Sequence, residues 1–413
     1  MSQFLSVGAI LLSTVIFLAG QGLTGTLLPV RAHLAQFSDF AIGLIGSAYF
    51  AGFIAGCYVG PRLLARVGHS RTFAAAAGIA TAMVLMMSLA VNEFAWIVLR
   101  GFFGFAAANV YMVIESWLND RATNQTRGRI FAAYLLVNFT GLIVGQWSFV
   151  AGRPVSSTLF ILSAIFYALC LIPLGLTRIP QPHAKEVPGL RPARMFAISP
   201  VGVAGCIAVG FANAACWTFL PVYAHGQHLT RGLLSGFMSA FTLGGALIQL
   251  PVGRLSDRMD RRLIIAAASF IAAMLGIALW YFSGVSRTLT LALVALFGMA
   301  VLPVYGLSIA HANDRLPREM FVEASATLLL INAAASVAGP VIAATVTDHF
   351  GMPALFLYTA AVHLSLAAFV LTRIRNFASP PHGERYAPMP AQASPAALEL
   401  DPRGEHEEQP QTI

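Results

Sequence analysis

Twelve apolar segments, each long enough to cross a lipid bilayer, constrain the fold of this chain more than any other feature. A helix needs about 20 apolar residues to cross the bilayer core. Charged residues make up only 10% of the 413 residues, whereas a water-facing surface usually requires about 25%. We therefore predict an all-α membrane protein with twelve transmembrane helices. The predicted spans lie near residues 4–30, 40–60, 72–91, 94–117, 130–151, 155–176, 200–223, 232–253, 263–283, 288–311, 322–347 and 352–372.

The basic residues indicate how these spans are oriented. Most of the 25 Lys and Arg residues fall in loops on one predicted side of the membrane, and only Arg31, Arg153, Arg231 and Arg287 fall in loops on the other. Cytoplasmic loops of membrane proteins carry an excess of Lys and Arg. We therefore expect both termini to face the cytoplasm. The net charge of +8 then reflects membrane orientation, and no nucleic-acid partner is expected.

The sequence repeats itself across its two halves. The segment TLLPVRAH at 26–33 resembles TFLPVYAH at 218–225, an offset of 192 residues. The same offset of 192 pairs Gln21 with Asn213, Gly52 with Gly244 and Arg66 with Arg258. Farther along the chain the offset becomes 194, and it pairs Gly104 with Gly298, Tyr111 with Tyr305 and Asn138 with Asn332. We therefore predict two parallel six-helix repeats, with the substrate site between them near the membrane midplane.

The repeat divides the chain into four predicted regions. These are an N-terminal six-helix bundle at 1–176, a cytoplasmic linker at 177–198, a C-terminal six-helix bundle at 199–375 and a tail at 376–413. The tail is rich in Pro, Glu and Gln and has no apolar periodicity, so it is predicted to be a disordered cytoplasmic segment.

Five segments carry a family resemblance, and two of them are equivalent loops of the two repeats. The loop GRLSDRMDRR, from Gly253 to Arg262, is similar to the G-x-x-x-D-R-x-G-R-R motif of the major facilitator superfamily, with Asp260 in place of the second glycine. The equivalent loop PRLLARVGHSR has lost the expected glycine and aspartate. The segment RGFFG, starting at Arg100, is similar to the family's R-x-x-x-G motif. Within the superfamily, VIESWLNDRA at 113–122 and RGRIFAAY at 127–134 resemble the YcaD-type group of bacterial transporters.

The resemblance implies a major facilitator fold and a carrier that alternates between inward-open and outward-open states. It also implies a multi-pass protein of the bacterial inner (plasma) membrane, and we expect a monomer. Span 5 carries Gly145-Gln146 where the family's antiporters have Gly-Pro, which argues against antiport. Efflux of amphipathic compounds and uptake of a metabolite both remain open.

Two ionisable residues fall inside predicted span 4. Arg100 is predicted to bind an anionic group or to control the proton of a carboxylate, and the alternative is a clamp to backbone carbonyls of a neighbouring helix. Glu115 lies fifteen residues farther on, about 22 Å along the helix, too far to pair with Arg100. It is predicted to be a protonatable carboxylate or a gate charge, and the alternative is a salt bridge to Arg127 or Arg129.

Charged residues in the motif loops are candidates for a gate. Asp257 with Arg258, and Arg66 in the first repeat, are predicted to brace the cytoplasmic face in the outward-open state. The alternative is that these arginines only set the membrane orientation.

Polar and aromatic residues inside spans 1, 4, 7 and 10 are candidates for substrate binding, because by resemblance these spans line the central cavity. Amides and aromatic rings hold a moderately polar ligand by hydrogen bonds and stacking. The alternative is hydrogen bonding between helices. The candidates are Gln21, Asn109, Asn213, Trp217 and Tyr305.

The function predicted from these features is secondary active transport of a small organic solute, coupled to a proton or another ion. The sequence has no phosphate-binding loop, no catalytic triad spacing and no metal cluster, so we predict that the protein is not an enzyme and needs no cofactor. The alternative function is a membrane sensor or receptor on a carrier fold that does not transport, with the acidic tail docking a partner.

Overall fold

The computed structural model describes residues 2–123, 125–177, 182, 191–317, 320–377, 386, 394 and 396–397. Its elements are helices, and no strand occurs within those ranges. The helices are α1 (Ser2–Leu34), α2 (Asp39–Val67), α3 (His69–Leu89), α4 (Glu93–Arg121), α5 (Arg127–Ser148), α6 (Thr158–Leu169), α7 (Leu171–Gly175), α8 (Pro192–Ile198), α9 (Pro200–Gly226), α10 (Arg231–Ser256), α11 (Arg261–Tyr281), α12 (Arg287–Val301), α13 (Val304–Asn313), α14 (Phe321–Phe350) and α15 (Ala354–Asn376).

Twelve helical stretches in the described part of the chain are long and apolar enough to cross a membrane. The all-α prediction and the prediction of twelve spans are therefore confirmed. Two spans each consist of two α-helices, α6 with α7 and α12 with α13, and a short 3-10 helix at Phe149–Ala151 follows α5 in a third span. In both cases a proline follows within three residues of the break, Pro173 or Pro303, and proline has no N–H with which to continue the helical hydrogen-bond ladder.

The six-span repeat predicted from the sequence is present in the helix packing. In the first repeat, α2 packs on α4 and Gly104 lies directly against the carbonyl oxygen of Tyr49. In the second repeat, α10 packs on α12 and the equivalent Gly298 lies directly against the carbonyl oxygen of Phe241. Tyr49 and Phe241 are themselves separated by the repeat offset. The same backbone contact at equivalent positions shows that the two halves use the same helix packing.

This close packing makes a prediction about Gly104. Gly104→Ala places a methyl group on the carbonyl oxygen of Tyr49, and overpacking of this kind costs about 1–3 kcal/mol. The thermal unfolding midpoint of the purified protein is expected to fall. The matched control is Gly78→Ala on α3, where an added methyl group meets nothing within 4 Å. Its midpoint should stay the same or rise, because alanine favours a helix more than glycine does. Equal midpoints for the two variants would contradict the packing described.

One end of the helix bundle carries most of the arginines, and we call it the arginine-rich end. It contains the end of α4, the start of α5, the end of α10 and the start of α11. Contacts between neighbouring elements there include two made by arginines. Arg127 at the start of α5 bonds Asn119 at the end of α4, and Arg262 at the start of α11 bonds the carbonyl oxygen of Phe377, the residue after α15. The predicted linker lies at the same end, but apart from α8 and a few flanking residues it falls outside the described residues.

The two repeats are joined at the opposite end of the bundle. Gln146 on α5 accepts a hydrogen bond from Ser239 and donates one to Thr242, both on α10. Arg231, at the start of α10, donates to the carbonyl oxygen of Gly152 at 2.6 Å. The rings of the repeat-equivalent His33 and His225 lie 6.0 Å apart, centroid to centroid. This end of the interface between the repeats is therefore closed.

Candidate functional site

Glu115 is the most deeply buried acidic residue among those predicted to act. It lies on α4 and has 0% exposure. The hydroxyl group of Tyr134, on α5, donates a hydrogen bond to Oε1 of Glu115 at 2.6 Å. The backbone N–H of Ser394, from the C-terminal tail, donates to Oε2 at 2.8 Å, and the Ser394 hydroxyl donates to the same oxygen at 2.5 Å. Both carboxylate oxygens are thus hydrogen-bonded to neutral donors.

The Glu115 carboxylate forms no ion pair with any described residue. Arg127, one of the two salt-bridge partners considered above, donates instead to Asn119 Oδ1 at 2.7 Å. Burying a charged carboxylate without a cation is costly, and an acid in such a place inside a membrane protein is typically functional. The arrangement suits a group that exchanges a proton or accepts hydrogen bonds from a ligand.

Tyr305, predicted to bind substrate, lies on α13 of the second repeat and is buried, with 1% exposure.

Arg100 lies on the same helix but in different surroundings. Its guanidinium carbon is 4.6 Å from the ring centroid of Tyr49 and 4.9 Å from that of Phe103. Its Nη1 atom is buried and has no hydrogen-bond partner among the described residues. The aromatic faces stabilise the cation, and neither N–H group of Nη1 has a partner among the described residues.

Gln21 belongs to the same cluster as Arg100. Its Nε2 atom donates to the hydroxyl oxygen of Tyr49 at 3.3 Å, and Gln21 is 7% exposed. The structure thus brings Gln21 and Arg100 together through Tyr49, a residue that sequence reasoning missed.

The remaining predicted binding residues are distributed over both repeats. Asn109 donates to the carbonyl oxygen of Phe105 in its own helix, and its Oδ1 atom is buried without a partner among the described residues. Neither side-chain polar atom of the buried Asn213 has a partner within the described ranges. The ring of Trp217 packs edge-on against Phe241 with centroids 5.3 Å apart. Asn213 thus has the hydrogen-bonding capacity expected of a ligand contact, and the Trp217 ring is only partly buried.

The motif loop of the second repeat forms a compact charge network. Arg261, with a side chain only 2% exposed, bonds Asp257 at 3.0 Å, Asp314 at 2.8 Å and Ser256 at 3.0 Å. The partner of Asp257 is therefore Arg261 of the same repeat. Arg258 is exposed and forms no described ion pair.

Arg66, the equivalent of Arg258 in the first repeat, is likewise exposed and in no described ion pair. Arg66 and Arg258 thus form no ion pair with the described residues, and their role as gate residues stays a prediction.

The comparisons with known proteins agree on the family. The family model described as Major Facilitator Superfamily matches residues 10–332 and 237–400. The chain is 25% identical over 360 residues to the uncharacterized MFS-type transporter YcaD of Escherichia fergusonii, covering 86% of this chain and 92% of that protein. It is 26% identical over 361 residues to YcaD of Salmonella typhi, with the same coverage.

Solved structures share the fold at low sequence identity. The nucleoside transporter NupG superposes with a TM-score of 0.75 at 16% identity, covering 90% of this chain and 100% of that one. A D-xylose-proton symporter superposes with a TM-score of 0.72 at 15% identity, covering 93% and 100%. The family match, the relatives and the twelve-span fold together show that the chain belongs to the major facilitator superfamily.

Proposed function

We propose that this membrane transporter is a secondary active carrier that moves a small organic solute by alternating access and couples this movement to a proton carried by Glu115. The observation that carries the proposal is the Glu115 site. A fully buried carboxylate in a span, with neutral hydrogen-bond donors and no described cation partner, gains and loses a proton without breaking a salt bridge.

The closed end of the interface between the repeats supports alternating access. Direct hydrogen bonds between the described helices of the two repeats lie at the end opposite the arginines. We propose that this conformation is inward-open, with the arginine-rich end in the cytoplasm. Rocking of the bundles at 1–176 and 199–375 would break these bonds and close the arginine-rich end.

We propose that the solute binds between the repeats, in contact with the unpartnered polar atoms of span 4 and span 7. Asn109 and Asn213 each have buried polar atoms without described partners. We propose that Gln21 and Arg100 contact the solute from the first repeat and that Tyr305 contacts it from the second. The few charges inside the spans favour a weakly charged or amphipathic solute.

The relatives fit this proposal without fixing the solute. One protein that shares the fold is a D-xylose-proton symporter and another is a nucleoside transporter. By the resemblance to YcaD-type proteins, we propose a monomeric protein of the bacterial inner membrane with both termini in the cytoplasm.

Counterflow in proteoliposomes tests whether the protein is a carrier. The solute for this assay is chosen from a library of nucleosides, pentoses and amphipathic organic compounds. It is the compound that most raises the unfolding temperature of the purified protein. Vesicles loaded with this compound in unlabelled form are expected to accumulate a labelled trace transiently, and protein-free vesicles are not. Binding without any exchange would contradict the carrier proposal and favour the alternative, a receptor that does not transport.

A further inference from the structure

The C-terminal tail contacts both repeats at the arginine-rich end. Tyr386 lies against α10 of the second repeat, and Ser394 lies against α4 of the first. Ser394 and Ala397 are completely buried. We call Tyr386, Ser394, Ala396 and Ala397 the tail segment. The rest of the tail, predicted above to be disordered, falls outside the described residues.

The first anchor of the tail segment is Glu115. Ser394 directs both its N–H and its hydroxyl group at Oε2 of this carboxylate, at 2.8 and 2.5 Å. A turn supports this orientation, because the N–H of Ala397 bonds the carbonyl oxygen of Ser394 at 3.1 Å. Hydrogen bonds to a carboxylate are about twice as strong as those between neutral groups.

The second anchor is α10. The backbone N–H of Tyr386 donates to Asp257 Oδ1 at 2.6 Å, and its hydroxyl group donates to Gln249 Oε1 at 2.8 Å. The Tyr386 ring packs directly on Gly253, where any side chain would collide with it. The family-motif residues Gly253 and Asp257 therefore bind the tail segment in this conformation.

The tail segment connects the repeats at the end where their helices form no described hydrogen bonds with each other. Its two anchors bind different repeats, so rocking of one bundle relative to the other changes the distance between them. The N–H and hydroxyl donors of Ser394 occupy Oε2 of Glu115, an acceptor that a solute or a proton would need. This occupation opposes the transport cycle.

We propose that the tail segment is an internal ligand of the carrier, binding between the repeats at Glu115 and α10 and inhibiting transport until it is displaced. The binding stands on the contacts alone, whereas the inhibition rests on the proposed transport function. A solute with adjacent N–H and O–H donors would compete with Ser394 for Glu115.

Cysteine labelling tests the binding without any transport measurement. Ser394→Cys is introduced into the full-length protein after alanine replaces the four native cysteines, Cys57, Cys170, Cys206 and Cys216. The labelling rate with a maleimide in detergent is expected to rise at least about tenfold when Glu115→Ala removes the first anchor. Tyr386→Ala, which removes the second anchor, should also raise the labelling rate. This variant provides an independent result if Glu115→Ala does not fold.

The matched control is Glu323→Ala. Glu323 is an acid at the arginine-rich end that pairs with Arg191 at 3.4 Å and touches no described tail residue. The labelling rate in this background should equal that of Ser394→Cys alone. A rate that is unchanged by loss of either anchor would overturn the proposed binding, whatever the transport assays show.

Solute exchange tests the inhibition separately. Ser394→Ala removes the hydroxyl donor, so the KM for the counterflow solute is expected to fall severalfold with little change in kcat, because tail and solute compete. If loss of either anchor raises the labelling rate but Ser394→Ala leaves KM unchanged, the tail segment binds as proposed and the inhibitory role is wrong. If no variant exchanges solute, the proposed function fails and the labelling result still decides whether the tail binds.

Discussion

Replacing Glu115 with Gln is expected to abolish uphill accumulation of solute in vesicles that carry an imposed proton gradient. With one proton coupled to each neutral solute, a gradient of one pH unit supports about tenfold accumulation by the wild-type protein. A glutamine in this position cannot take up a proton, so the variant should only equilibrate the solute. The measurement is the ratio of internal to external labelled solute at steady state.

Glutamine is the appropriate replacement because it preserves the local contacts. Its carbonyl oxygen still accepts from Ser394, and its amide group donates to the Tyr134 hydroxyl oxygen. Counterflow should therefore survive in the variant, which separates lost coupling from misfolding. The matched control is Glu93→Gln, an acid on the same helix that accepts a hydrogen bond from the Ser38 backbone. Equal accumulation by Glu115→Gln and the wild type would show that another group carries the proton.

Replacing Arg261 with Met is expected to lower the free energy of unfolding by about 3–5 kcal/mol, because the buried charges of its two aspartate partners lose their cation. Arg261 joins Asp257 to Asp314, and the Asp314 side chain is only 5% exposed. Thermal unfolding of the purified protein measures the effect as a lower midpoint.

Two further variants show whether the buried pair is the cause. Arg258→Met removes an exposed arginine three residues away and should change the unfolding free energy by less than about 0.5 kcal/mol. Adding Asp314→Asn to Arg261→Met should restore part of the loss, because it removes a buried charge. Similar midpoints for Arg258→Met and Arg261→Met would contradict the network described.

The fold follows from features that the sequence displays locally. Span length can be read from each apolar segment by itself, and the orientation of the spans can be read from the arginines in the loops. The repeat offset can be read by aligning the two halves of the sequence. Twelve spans and two repeats could therefore be predicted. The helix breaks near Pro173 and Pro303 could not be predicted from proline chemistry alone. Other prolines inside spans lie in helices that continue through them, namely Pro29, Pro61, Pro221, Pro251 and Pro340.

The surroundings of the site residues depend on contacts that no local pattern reveals. Ser394 is 279 residues from Glu115 in the chain, and its position depends on a tail with no apolar periodicity. The sequence does contain a signal for Tyr134, the partner of Glu115 on α5. At the repeat offset of 194, Glu115 and Tyr134 correspond to Ile309 and Leu328, so a polar pair in the first repeat replaces an apolar pair in the second.

Arg100 illustrates a limit of a different kind. Burial of a guanidinium predicts a partner, but it does not distinguish a carboxylate, a carbonyl group or an aromatic face. Tyr49 and Phe103 supply the aromatic faces, and only the packing of α2 on α4 places Tyr49 there.

The most direct test of proton-coupled transport is the internal pH of proteoliposomes as solute flows down its own gradient, with no proton gradient imposed. A pH-sensitive dye inside the vesicles should report a change when the counterflow solute is added to wild-type protein and no change with Glu115→Gln. If the solute enters wild-type vesicles and the internal pH stays constant, coupling to a proton through Glu115 is wrong, and the protein is a uniporter or uses another ion.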